Sequence, residues 1–186
     1  MTNIKDYIVV VENAMTHNLC DAILEEYGNE EEWQKTVVGH GNVNEKIRNA
    51  DTIGISFSSV IERNKKVRHK LDRYIFASAG LAIETYNKKF PACRIEEDSG
   101  YELLRYKEGQ FYTQHTDSFK ARPREVSCSF AINDVYEGGE WAFFNREMII
   151  KAPKGSAILF PSNFMYPHEI MPVTKGTRYS VITWFI

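Results

Sequence analysis

From Gly100 to the end, the chain is a succession of short apolar-rich segments, each closed by a turn signal. The candidate strands are Tyr101–Tyr106, Phe111–Asp117, Val126–Asn133, Glu140–Phe144, Met148–Lys151, Ser156–Phe160, Tyr166–Met171 and Arg178–Ile186. Between them lie Lys107-Glu108-Gly109, Glu137-Gly138-Gly139, Asn145-Arg146, Pro153-Lys154-Gly155 and Lys175-Gly176-Thr177, which read as punctuation. Short strands at this spacing predict a double-sheet jelly roll, or double-stranded β-helix.

The first ninety residues are mixed. Tyr7 to Val11 reads as a buried strand, and Thr16 caps a helix carrying Leu19, Cys20, Ile23, Leu24 and Tyr27, stopped at Gly28. Glu30-Glu31-Glu32 reads as a solvated turn, and a Gly/Asn-rich loop from His40 leads to a strand around Thr52 to Phe57. From Ser59 to Phe90, Val60, Val67, Leu71, Tyr74, Ile75, Ser78, Leu81 and Ala82 recur at helical spacing, predicting one long helix braced against a sheet. Arg63, Lys65, Lys66, Arg68 and Lys70 on that helix read as its solvated face, not a nucleic-acid contact. The class expected is mainly β with flanking helices (α+β). The expected organisation is a single domain over 1–186, with 1–95 as support and 100–186 as the jelly-roll core.

Composition narrows the function. A chain of 186 residues with 43% hydrophobic content is long enough to bury a real core. Its net charge of −2 recruits neither nucleic acid nor an anionic membrane. The longest apolar runs fall far short of the roughly 20 residues that span a bilayer. No cationic segment followed by an apolar one opens the chain, so a cytoplasmic location is expected, in a bacterium or as a viral protein in a host. Cys20, Cys93 and Cys128 are odd in number and widely spaced, which suits reduced thiols. A monomer or weak homodimer is expected.

His115-Thr116-Asp117, with His168 and Arg178 far downstream, carries the chemistry. In a strand, residues two apart share a face, so His115 and Asp117 can reach one ion while His168 arrives from another strand. Two imidazoles and one carboxylate without a thiolate suit ferrous iron better than zinc, and leave coordination positions open. His17, His40 and His69 compete poorly. Alternation puts Arg178, Ser180, Ile182 and Trp184 on one face of the last strand. A cation on an inner apolar face is costly unless paired, and a bound carboxylate is a natural partner; the alternative is a strand-start arginine facing solvent.

Tyr106–Asp117, Gly138-Gly139-Glu140, Lys154–Phe160, His168–Val173, Gly176-Thr177-Arg178 and Thr183-Trp184-Phe185 together resemble the prolyl 4-hydroxylase-like branch of the Fe(II)/2-oxoglutarate-dependent dioxygenases. The resemblance covers Tyr101 to Ile186 closely and takes in Tyr7 to Tyr27. It implies that His115, Asp117 and His168 bind Fe(II) and that Arg178 holds the distal carboxylate of 2-oxoglutarate. Tyr106 matches a tyrosine near the co-substrate, with a core tyrosine as the alternative. Trp184 matches a position lining the pocket floor and is as readily plain core; Tyr112 reads as packing. The co-substrates implied are 2-oxoglutarate and O2, with ascorbate as a family expectation. The reaction implied is hydroxylation of an unactivated C–H bond with release of succinate and CO2, on a peptide or protein substrate and most simply at a peptidyl proline. Collagen-type members usually carry Lys where Arg178 stands, which moves the substrate expectation away from collagen. The loop His40 to Asn49 or the segment Ser118–Glu125 would close over an extended peptide. Competing readings are a hydroxylase of another residue or a small molecule, and a non-catalytic metal-binding jelly-roll module.

Overall fold

A computed structural model describes residues 3–29, 31–39, 41–56, 64–93, 95, 97–121 and 123–186. In chain order the elements are β1 (Val9–Val11), α1 (His17–Tyr27), β2 (Gln34–Lys35), β3 (Arg48–Asn49), β4 (Asp51–Gly54), α2 (Lys65–Lys89), β5 (Glu102–Tyr106) and β6 (Phe111–His115). There follow β7 (Val126–Ala131), β8 (Tyr136–Gly138), β9 (Trp141–Phe143), β10 (Met148–Ile150), β11 (Ala157–Pro161), β12 (His168–Ile170), β13 (Val173–Gly176) and β14 (Arg178–Phe185).

Two antiparallel sheets face each other as the jelly roll requires. The larger runs β1-β11-β7-β14-β5-β4-β2 and the smaller β10-β9-β12-β6-β3, with β13-β8 as a separate ribbon. Strand alternation divides the larger sheet's residues between two cores. Leu103, Phe130, Leu159, Val181 and Phe185 pack outward against Ile23 of α1 and Ile75, Ala79 and Tyr86 of α2. Leu104, Tyr106, Ile158, Phe160 and Ile182 point inward, toward Ile170, Phe143 and Tyr166 of the smaller-sheet side. The predicted bracing helix is therefore present and covers the outer face of the larger sheet.

Local chemistry accounts for the helix ends. The Thr16 side chain accepts from the Leu19 amide at 3.2 Å, capping α1. The long helix departs in part from its predicted face. Leu71, Ile75, Ala79, Ala82, Ile83 and Tyr86 are buried, while Val67, Tyr74 and Leu81 are about half exposed. Leu71, Ile75 and Ala82 are thus buried as read, and Ala79, Ile83 and Tyr86 complete the stripe that packs on the sheet. Arg68 is also not on the solvated face: it is 4% exposed and its Nε lies 2.6 Å from Glu26 of α1. Lys65, Lys66 and Lys70 are exposed as read, and Ser59, Val60, Arg63, Phe57, Glu30 and His40 lie outside the described residues.

Three further corrections concern strands. Tyr7–Val11 is not one buried strand. Asn3 accepts from the Lys5 amide while Asp6 accepts from that of Asn3, winding Ile4–Tyr7 into a 3-10 turn. The strand left, β1, sits at the sheet edge with Val10 exposed. β8 and β13 were read as turns because their glycines look like breakers; both strands end at one, Gly138 and Gly176, at positive φ. Finally β6 stops at His115, so Asp117 lies past the strand and not within it.

Candidate metal centre and its pocket

The pairing of β12 with β6 sets His168 directly opposite His115, and on its other side β12 sets His168 opposite Phe143. The two imidazole rings are 4.2 Å apart between centroids. Asp117 reaches them by a different route from the one that strand alternation proposed. Its amide and that of Ser118 both donate to the Ser162 carbonyl, at 3.2 and 2.9 Å, which turns the chain back after β6. The Asp117 carboxylate then lies 3.5 Å from His115 Nε2 through Oδ1 and 3.7 Å from His168 Nε2 through Oδ2. One ligand atom from each of the three falls within 4.8 Å of the others.

The tautomers follow from the neighbours. His115 Nδ1 is 2.9 Å from the Thr113 carbonyl and His168 Nδ1 is 3.0 Å from that of Tyr166. A carbonyl only accepts, so each Nδ1 carries a proton, and Nε2 is the nitrogen that each ring turns toward Asp117. Burial, with the His115 imidazole alongside, pushes His168 down to about 4, so it is neutral at ordinary pH. Burial alone would raise the Asp117 carboxyl; the imidazoles of His168 and His115 and the Ser127 hydroxyl outweigh it and hold it below the usual carboxylate range. Two imidazole Nε2 atoms and one carboxylate oxygen, each side chain oriented by a further hydrogen bond, form a donor set that fits ferrous iron.

This cluster lines one wall of a cavity of about 290 Å³ between the sheets. Arg178, Ser180, Ile182 and Trp184 of β14 all line it, as alternation along the last strand predicted. Arg178 is 3% exposed; Nη1 donates to Ser180 Oγ at 3.0 Å, and buried Nε has no partner among the described residues. Its guanidinium lies over the rings of Tyr106 and Trp141, at 5.3 and 5.6 Å. Tyr106 is its register partner on β5 and is buried on the cavity wall. A side chain at Gly139 would place its Cβ 2.9 Å from Arg178 Cδ, so the turn needs glycine to let the arginine pass. His17 instead bonds the Lys154 carbonyl at 3.1 Å, and His69 is exposed.

Several residues of the site were not singled out in the sequence. Ser127 Oγ donates to Asp117 Oδ2 at 2.6 Å and meets Ser162 Oγ at 2.8 Å, with both serines buried. Polar Ser127 and Ser129 on the inner face of the otherwise apolar β7 were the available signal. Tyr112, read as packing, stacks on His115 with centroids 3.4 Å apart and lines the cavity. Both loops expected over the substrate contribute walls, through Arg48 on one side and Phe119 and Arg124 on the other. The Arg124 guanidinium covers the Trp184 ring at 3.4 Å.

Comparison with known proteins agrees with this architecture. Residues 101–186 match the model of the 2OG-Fe(II) oxygenase superfamily. A PKHD-type hydroxylase of Thermosynechococcus vestitus is 29% identical over 144 residues, covering 72% of this chain and 63% of that protein. One of Alteromonas mediterranea is 35% identical over 92 residues, covering 43% of this chain and 40% of that protein. The chain thus spans less than two thirds of the length of these curated relatives. Among solved structures, a Trichoplax adhaerens prolyl hydroxylase superposes with a TM-score of 0.79 at 16% identity, over 97% of this chain and 83% of that one. A Pseudomonas putida prolyl-4-hydroxylase gives 0.74 at 22% identity, over 96% and 92%. No helix among the described residues is long and apolar enough to cross a membrane. Residues 101–186, which carry His115, Asp117, His168 and Arg178, are thus the part of the chain that matches the 2OG-Fe(II) oxygenase superfamily.

Proposed function

We infer that residues 1–186 act as a single Fe(II)- and 2-oxoglutarate-dependent dioxygenase domain that hydroxylates a peptidyl proline. The observation that carries the reading is the convergence of His115, Asp117 and His168 within 4.8 Å, on the same cavity as a buried arginine whose Nε lacks a partner among the described residues.

His115 Nε2, His168 Nε2 and an oxygen of Asp117 would hold the iron. Iron bound there with 2-oxoglutarate and O2 supplies the oxidising power for C–H hydroxylation, with succinate and CO2 released. Arg178 would take the distal carboxylate of 2-oxoglutarate, the charge partner its burial demands. Ser180 fixes the fork of that arginine, Tyr106 and Trp141 flank it, and Trp184 closes the same wall. The apolar residues around His168, namely Phe143 and Phe160, exclude water from the ligand cluster.

A peptide substrate is supported by the fold shared with two prolyl hydroxylases, one of them solved with a hypoxia inducible factor peptide fragment. The two loops flanking the cavity would line the peptide groove, and a net charge of −2 favours a protein partner over nucleic acid. Free cysteines, two of them buried, support a reducing, cytoplasm-like compartment.

The test is a proline-peptide library incubated with Fe(II), 2-oxoglutarate, O2 and ascorbate, followed by mass spectrometry and succinate assay. The expected result is a gain of one oxygen on proline with stoichiometric succinate. Oxygen found on another residue would correct the substrate, and no succinate under any condition would remove the reading.

A further inference from the structure

The pocket holds a second underused cation. Arg48 opens β3, opposite Tyr112 on β6, and is half-buried on the cavity wall. Its guanidinium lies 4.7 Å over the Tyr112 ring, which in turn stacks on His115, so the three form one column from the mouth to the metal centre. Nη1 donates to the Val37 carbonyl at 3.3 Å, and buried Nε has no partner among the described residues. Three other arginines are ion-paired: Arg68 with Glu26, Arg105 with Asp51 and Arg146 with Glu169. Among the described residues no carboxylate lies within ion-pair distance of Arg48, although burying part of a guanidinium without one is costly.

Charge around the cavity points the same way. Its walls carry the cations Arg48, Arg124 and Arg178 against the carboxylates of Glu102 and Asp117. If Arg178 takes the co-substrate, a dianion that offsets a divalent metal, the walls keep a net positive charge for whatever enters next. We propose that Arg48 is a specificity residue that holds a carboxylate of the primary substrate, so that the enzyme takes prolines flanked by an acidic residue. This rests on the dioxygenase reading. The guanidinium fork matches a carboxylate in two-point contact, and its stack on Tyr112 fixes the plane in which the fork is offered.

The experiment compares three peptides that differ only beside the proline, carrying Glu, Gln or Lys. Binding is measured with Zn(II) and 2-oxoglutarate present, and hydroxylation with Fe(II). The Glu peptide should bind about tenfold more tightly than the Gln peptide, and the Lys peptide most weakly. Arg48→Gln should erase the Glu preference, Arg48→Lys should keep part of it, and Arg48→Glu should favour the Lys peptide. Binding of 2-oxoglutarate without peptide should stay near the wild-type value in Arg48→Gln. Equal binding of the peptides by the wild type, or a Glu preference that survives Arg48→Gln, would overturn the proposal while leaving the dioxygenase reading standing. A wild type that makes no succinate would fail that reading instead, and weaker 2-oxoglutarate binding without peptide in Arg48→Gln would reassign Arg48 to the co-substrate.

Discussion

The Ser127 hydroxyl donates to Asp117 Oδ2 at 2.6 Å and meets Ser162 Oγ at 2.8 Å, so the Asp117 carboxylate is anchored by one buried serine that a second supports. These come from β7 and from the residue after β11, neighbours in the larger sheet, whereas the histidines lie on the smaller one. The ligand set is therefore assembled across the interior of the jelly roll.

Removing that anchor should loosen the metal without unfolding the protein. Ser127→Ala is expected to weaken Fe(II) affinity about 10- to 100-fold, the usual consequence of losing a hydrogen bond to a ligand. Direct titration of the metal would check it, and unchanged affinity would mean the carboxylate is held by its backbone alone.

Arg178 is buried with only a serine hydroxyl as hydrogen-bond partner among the described residues. Replacing a charge so placed by an apolar side chain removes a desolvation cost. Arg178→Met should leave the thermal midpoint of the metal-free protein unchanged or raise it, while the KM for 2-oxoglutarate rises about 10- to 100-fold. A large fall in the midpoint would indicate a structural role for the arginine.

Stability should depend on pH through His168. Its folded value is pushed down to about 4 by burial, against 6.5 for the free side chain. Between those values the unfolded chain takes up a proton that the folded chain refuses, so stability is complete above pH 6.5 and lost as pH falls toward 4. The loss from this group is at most about 3 kcal/mol. Asp117 stays charged through the whole window, because its carboxyl is held below the usual range. The midpoint of metal-free His168→Gln should fall less steeply over that window than the wild type; parallel curves would contradict the assignment.

The helical brace contains a buried ion pair, with Arg68 Nε 2.6 Å from Glu26 and both side chains under one tenth exposed. Arg68→Ala would take the charge partner from the Glu26 carboxylate and leave it the Asn64 amide at 3.1 Å, at a cost of about 3 kcal/mol. Denaturant unfolding should register that loss, while Fe(II) affinity of the folded protein stays the same because α2 packs on the outer face of the sheet.

The jelly roll was legible because its core strands each bury a patterned face and are divided by glycine turns. The candidate site was legible because His115, Asp117, His168 and Arg178 fall at or just past the ends of antiparallel strands that meet around one cavity. What sequence did not carry was pairwise geometry. That Asp117 lies past the strand end, turned back by the Ser162 carbonyl, depends on a contact with a residue 45 positions later. Ser127 has no local pattern that marks it as an anchor beyond being polar on an inner face. The buried stripe of α2 was legible through Leu71, Ile75 and Ala82, but the bulk of Val67, Tyr74 and Leu81 drew those about half-exposed residues into it. Arg68 was misread because its partner lies on another helix.

The most direct measurement is an anaerobic titration of Fe(II) into the protein with 2-oxoglutarate, followed by visible absorption. The expected result is a weak metal-to-ligand charge-transfer band that saturates at one iron per chain, disappears in His168→Ala and Asp117→Ala, and needs more 2-oxoglutarate in Arg178→Met. A wild type that binds no iron, or whose band is indifferent to His168 and Asp117, would contradict it.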